Sequence, residues 1–206
     1  MCWKGANYTG RLLVLGESAY PWTVRDSTDL KPPSEDHAII MAHEIMRDFR
    51  QATPFLRKIT RALSEEYAPT GSTICRIWNE ISFMNYVCEP VRSGSNGHRP
   101  SKAQWDRAHD GFLQILNQLK PRRVVVLGYV MWSKMPETNH EVPEADHNRK
   151  HPAPEAYQLA DGTLAWCQAL KHPSRGPSWE EYAADIKAFM DRDLPARVPA
   201  GELCIP

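Results

Sequence analysis

Two segments of the chain are unbroken apolar runs closed by glycine. Leu12–Leu15 leads into Gly16, and "RRVVVLG" (122–128) carries Val124–Leu127 into Gly128. Neither run alternates with polar residues, so each predicts a strand covered on both faces. "ISFMNYV" (81–87) alternates and is rich in β-formers, which predicts a further strand. "AYQLADGTLAWCQAL" predicts a hairpin turning at Asp161-Gly162, and its second arm runs into "KHPSR" (171–175).

Between these strands the apolar period changes to that of a helix. Ser34 caps a predicted helix reaching Phe49, with Ile39, Ile40, His43 and Met46 at helical spacing. Thr53 caps the next, with Pro54 in its first position and Phe55, Leu56, Ile59 and Leu63 as its apolar face. Ser101 with Gln104, and Ser178 with Glu181, have the spacing of capping boxes; they predict helices running to about Leu119 and about Asp191. Residues 16–33 and 88–100 read as loops. Residues 135–156 hold four prolines and form a long excursion of the functional or mobile kind, expected to be a flexible lid or loop. The tail, 194–206, has three prolines. Strands alternating with helices predict an α/β domain spanning residues 1–206, a parallel sheet with helices on both faces. In such sheets ligands bind beyond the carboxyl ends of the strands. There "GESAYPW", "NYVCEP" and "KHPSR" place polar clusters, and "LGYVMW" contributes Gly128.

Composition narrows the function classes. The chain has 206 residues, 42% of them hydrophobic, with no 18-residue apolar run and no apolar leader in "MCWKGANYTG". It is therefore expected to be cytoplasmic and to avoid membranes; a monomer is expected as well. Five scattered cysteines lack any CxxC pair and read as structural thiols. The formal net charge is zero, so any attraction to nucleic acid must be local. Arg92, His98, Arg99 and Lys102 face only Glu89 in the second loop, while "HNRKH" (147–151) and "KHPSR" contain no acids. Such loops suit phosphate contact, and solvated loop charge is the equal alternative. Trp22 and Trp132 follow strand ends, where they can stack on a base or serve as lid or core residues. His140, His147 and His151 with Glu141, Glu144 and Asp146 show no HExxH spacing and are separated by prolines. Neither a metal nor another cofactor is called for.

Four segments in order, over roughly residues 11–175, resemble the uracil-DNA glycosylase superfamily. "VLGESAY" stands where that family has a strand followed by Gly-Gln-Asp-Pro-Tyr or Gly-Glu-Ala-Pro-Gly. "FMNYV" followed by "NGHRP" is similar to an Asn-Val-Val run and a later Asn-Arg-x-Pro. "LKPRRVVVLG" is similar to the family's leucine–x–proline, apolar strand and Leu-Gly, and "KHPSR" to its terminal His-Pro-Ser. The resemblance implies a three-layer α/β/α sandwich around a four-stranded parallel sheet. It also implies cleavage of the N-glycosidic bond of a flipped uracil or modified pyrimidine in DNA, in repair or in defence against modified foreign DNA.

The chemistry can be set beside these residues. Base release passes through an oxocarbenium-like sugar and a departing base anion, so a site must hold the base, stabilise its charge and supply water. On the resemblance, His172 donates to the pyrimidine O2, while Ser174 binds phosphate and Arg175 wedges into the duplex. Asn85 reads the base edge through one donor and one acceptor. Read without the resemblance, Asn85 would be satisfied by neighbouring backbone. Tyr20 matches the tyrosine that blocks thymine's methyl. Ser18 stands in place of the family's water-activating aspartate, with Ala19 and Pro21 replacing its proline and histidine. Serine is a poor base, so either Glu17, or an acid of the 23–36 loop such as Asp26, activates water, or the site relies on electrostatic stabilisation alone. Base-binding positions are then Ser18, Tyr20, Asn85 and Trp22, and phosphate or wedge positions are Arg99, Ser174, Arg175 and Gly128. The Ser18 departure is the main support for the alternative, a catalytically inactive member that binds nucleic acid or a nucleotide.

Overall fold

The computed structural model describes residues 2–18, 22–23, 30–31, 36–89, 91, 99–138, 140–141, 152–174 and 176–197. Its principal sheet has the strand order β1-β5-β2-β6-β9-β8-β7. These strands are β1 (Trp3–Lys4), β2 (Leu12–Ser18), β5 (Ser82–Val87), β6 (Arg123–Leu127), β7 (His140–Glu141), β8 (Glu155–Gln158) and β9 (Leu164–Leu170). Two short strands, β3 (Trp22–Thr23) and β4 (Leu30–Lys31), form a separate antiparallel ladder.

The expectation of a four-stranded parallel sheet is corrected by this topology: the sheet is mixed and seven strands wide. Parallel pairing joins β5 to β2, β2 to β6 and β6 to β9. Antiparallel partners flank them, with β1 beside β5 on one side and β8 then β7 beside β9 on the other. The flanking strands satisfy backbone groups that the outer parallel strands would otherwise expose at open edges. Two-residue strands such as β1 and β7 leave no readable period, which is why the apolar pattern does not show them.

The continuous apolar runs follow from burial on both faces. Leu12 and Val14 point into one core with Phe83, Val125, Leu127, Trp166 and Leu170. Leu13 and Leu15 point into the other with Met84, Val124, Val126 and Ala169. Strand side chains alternate, so an unbroken apolar run means two covered faces. The first face is covered by α1 (His37–Arg47), α2 (Pro54–Ser64), α3 (Gly71–Glu80) and α6 (Trp179–Met190). The second is covered by α4 (Lys102–Leu119) and the short α5 (Tyr129–Trp132). Mixed α/β architecture is thus as expected.

Helix starts follow side-chain capping in most cases. Thr53 accepts from the Leu56 N–H, and Ser101 with Gln104 and Ser178 with Glu181 complete both sides of their capping boxes. The first helix departs from expectation. It begins after Asp36, which makes no side-chain cap, and ends at Arg47; Ser34 lies outside the described residues. Helix α3 has no counterpart among the elements that the apolar pattern predicts. Thr70 caps it, and Ile74, Ile77 and Trp78 at i, i+3 and i+4 bury its inner face. The Trp78 indole donates to Thr60 Oγ1 at 3.0 Å, so α3 is keyed to α2 by a buried hydrogen bond. No helix among the described residues is long and apolar enough to cross a membrane.

Candidate active site at the carboxyl edge of the sheet

The four parallel strands end together, at Val87, Ser18, Leu127 and Leu170. Within this edge Gly16 pairs in register with Asn85 on the neighbouring strand. A Cβ on Gly16 would lie 2.8 Å from Asn85 Oδ1, closer than real Cβ atoms approach other groups. The glycine that closes the first apolar run therefore leaves room for a carboxamide to cross the strand. Asn85 is buried.

Phe55, the second residue of α2, closes this space from above. Its Cζ is 3.7 Å from the same Cβ point, and its ring stacks on His172 with centroids 5.9 Å apart and planes inclined by 30°. Gly128, at φ +140°, lies under the imidazole: a Cβ there would be 3.7 Å from His172 Cδ2. Asn85, Phe55, Gly128 and His172 thus come from four separate elements and converge on one face of the sheet edge.

The imidazole is oriented by its own loop. Ser174 donates its backbone N–H to His172 Nδ1 at 3.2 Å, and Ser174 Oγ lies 2.8 Å from the same nitrogen. With Nδ1 accepting from an N–H, the neutral ring carries its proton on Nε2. The site therefore presents a histidine poised as a hydrogen-bond donor. Ser174, expected to bind phosphate, has its side chain on the histidine.

Glu17 and Ser18 separate across the pleat. Ser18 follows Val14 and Gly16 on the α2 side, and its buried Oγ has no hydrogen-bond partner among the described residues. Glu17 follows Leu13 and Leu15 towards the α4 side. There its Oε2 accepts from Arg99 Nη1 at 2.7 Å. The carboxylate is only 5% exposed and the Arg99 side chain 55%, so the pair is a buried anion met by a cation at the surface.

Of the expected site residues, the structure brings Asn85, Gly128, His172 and Ser174 together, and joins Glu17 to Arg99. Tyr20, Asp26 and Arg175 lie outside the described residues, as does the side chain of Trp22, whose backbone forms β3. Among the other basic residues, Lys102 pairs with Asp106 on α4, and Arg92 and His98 also lie outside the described residues. No group of three or more His, Cys, Asp or Glu among the described residues could hold a metal. His140 and Glu141 form β7, paired to β8. By its spacing Phe55 belongs to the apolar face of a helix, and only its place in the first turn, two residues beyond the Thr53 cap, points to the sheet edge. No family model matches the chain, and no curated protein is significantly similar to it.

Proposed function

We propose that the protein is a DNA glycosylase of uracil-DNA glycosylase type, which hydrolyses the N-glycosidic bond of an extruded uracil or modified pyrimidine. The observation that carries this reading is the pairing of a base-reading amide with a histidine donor around one aromatic face. Asn85 offers one donor and one acceptor to a pyrimidine edge, Phe55 offers a ring against which the base can stack, and His172 offers Nε2–H. A donor aimed at the base O2 stabilises the anion as the glycosidic bond lengthens, and one such donor contributes about 10²–10³ in rate. On this reading the finer architecture is that of the superfamily, with β5, β2, β6 and β9 as its parallel core.

The water must lose a proton to a carboxylate. Glu17 and Asp26 are the two candidates, and Glu17 stands on the far side of the pleat from His172, bound to Arg99. DNA enters as the partner through the basic loops, and the reaction fits repair or defence against modified foreign DNA. The test is incubation with oligonucleotides carrying uracil or 5-substituted pyrimidines, followed by alkaline cleavage at abasic sites. Strand breaks at one base, lost in His172→Ala, are the expected result.

One observation favours a second reading, a protein that binds nucleic acid without cleaving it. Ser18, not a carboxylate, stands at the family's water-activating position, and Glu17 is engaged by Arg99. Salt-sensitive DNA binding without release of any base would establish it.

A further inference from the structure

The loop that carries His172 is poor in donors and tightly folded. Pro173 and Pro177 have no N–H to give, and a Cβ on Gly176 would lie 2.8 Å from the His172 carbonyl oxygen and 2.9 Å from the Tyr182 hydroxyl. Two of the loop's carbonyls turn towards α2. Lys58 Nζ donates to the Pro173 carbonyl at 2.7 Å and to the Pro177 carbonyl at 3.1 Å. Lys58 lies three residues beyond Phe55, so both side chains project from one side of α2. Pro173 is buried. A buried carbonyl requires a donor, and an ammonium is a stronger one than a neutral amide.

We propose that Lys58 is a positioning residue for His172. It bridges both ends of the Pro173–Pro177 loop and so fixes the backbone on which the imidazole and Ser174 sit. Three constraints then act on the histidine from different directions. Phe55 holds the ring face, the Ser174 N–H holds Nδ1, and Lys58 holds the carbonyl of the residue that joins them in the chain. Ser174 can present its N–H to Nδ1 only while the Pro173 peptide keeps its orientation. Loss of the clamp therefore frees the ring to exchange tautomers. Apart from the activity arm below, which rests on the glycosylase reading, the inference concerns the conformation of the loop alone.

The experiment uses the full chain, labelled with 15N, and long-range 1H–15N correlation of its imidazoles at about pH 8, above the ordinary histidine range. Comparison with His172→Gln assigns the resonances. The unaltered protein should show His172 as a single Nε2–H tautomer. Lys58→Met, which keeps the apolar stem, should give a broadened or mixed pattern, and Lys58→Arg should restore the single one. Should Lys58→Met not fold, Lys58→Gln keeps a polar end without the charge and is read in the same way. Single-turnover base release should fall by about 10- to 100-fold in Lys58→Met, as for other small misplacements of a reacting group, while DNA affinity stays close to that of the unaltered protein. An unchanged imidazole pattern in Lys58→Met overturns the clamp whatever happens to activity. A changed pattern in a protein that releases no base from any DNA upholds the clamp and removes the glycosylase reading.

Discussion

Arg99 Nη1 meets Glu17 Oε2 at 2.7 Å, tying the segment before α4 to the end of β2 across 82 positions of sequence. The two partners are unequal. Glu17 is buried and Arg99 is half exposed, so loss of the cation costs more than loss of the anion. Arg99→Met leaves a buried carboxylate short of a donor and should lower stability by about 1–3 kcal/mol. Glu17→Gln keeps an acceptor without the charge and should cost less. In urea denaturation the double variant should be less destabilised than the sum of the two singles. Strict additivity would mean that the pair is not coupled in solution.

Activity separates the two candidate carboxylates. On the proposed reading, replacing the water-activating group by its amide should cost about 10²–10⁴ in base release. The pleat turns Glu17 away from His172, which points to Asp26→Asn as the damaging change and to a small effect of Glu17→Gln at fixed folded fraction. The reverse result would place the Glu17 carboxylate beside the sugar and displace Arg99 from it during the reaction.

His172→Ala removes the Nε2–H donor and should lower the rate by about 10²–10³, with DNA affinity within a few-fold, because the bond strengthens mainly in the transition state. Phe55→Leu keeps the apolar character of the space but loses the flat ring stacked on His172, and should weaken binding of the extruded base. A His172→Ala protein with the full rate on the same DNA would remove this histidine from the chemistry.

Stability in acid should report on the far side of the sheet. Asp161, in the turn between β8 and β9, is held below the ordinary carboxyl range first by Lys120 and then by the Thr163 hydroxyl and N–H. A carboxyl group depressed in the folded state contributes stability above its unfolded value, and this contribution is lost as the pH falls through the folded one. Melting temperature should therefore fall more steeply between about pH 5 and about pH 2 in the unaltered protein than in Asp161→Asn. Parallel pH profiles would show that the turn does not hold its carboxylate in this way.

Much of this architecture is legible in the sequence where one interaction dominates. The runs at Leu12–Leu15 and Val124–Leu127 announce two-faced burial because no pleat position can be polar, and the Ser101 and Ser178 boxes mark helix starts through local hydrogen bonds. Helix α3 is short and only half apolar, and its Thr70 cap stands in a polar stretch that reads as loop. The edge strands depend on pairing with distant segments and carry no period of their own. At the site, His172 and Asn85 could be named because strand ends gather polar residues. The partners that orient the histidine could not. Phe55 and Lys58 serve helix α2 equally well as core and surface residues, and only the packing of α2 over the carboxyl edge gives them a second role. The pleat that sends Glu17 and Ser18 to opposite faces was implicit in the alternation, yet adjacent polar residues after a strand read naturally as one cluster.

Gly16 offers the sharpest test of how that edge is built. A methyl group at this position would lie 2.8 Å from Asn85 Oδ1, while Phe55 and Phe83, both at 3.7 Å, remain at ordinary contact. The carboxamide must therefore move, and as a buried group it has little room to do so. Global stability should fall modestly, because crowding a packed interior costs about 1–3 kcal/mol and the reduced freedom of the unfolded chain, about 0.4–1 kcal/mol, offsets only part of it. The functional cost should be larger. A displaced amide presents its donor and acceptor out of register to a base edge, and a mispaired base contact is worth about 1–3 kcal/mol. Gly16→Ala should accordingly lose about ten-fold or more in base release or in binding of a pyrimidine-containing oligonucleotide. Asn85→Ala should do the same. The decisive measurement is the combination: once the carboxamide is gone, Gly16→Ala has nothing left to displace and should add almost no further loss. If Gly16→Ala costs as much in the Asn85→Ala background as alone, the glycine serves something other than Asn85, and the base-reading role assigned to that amide goes with it.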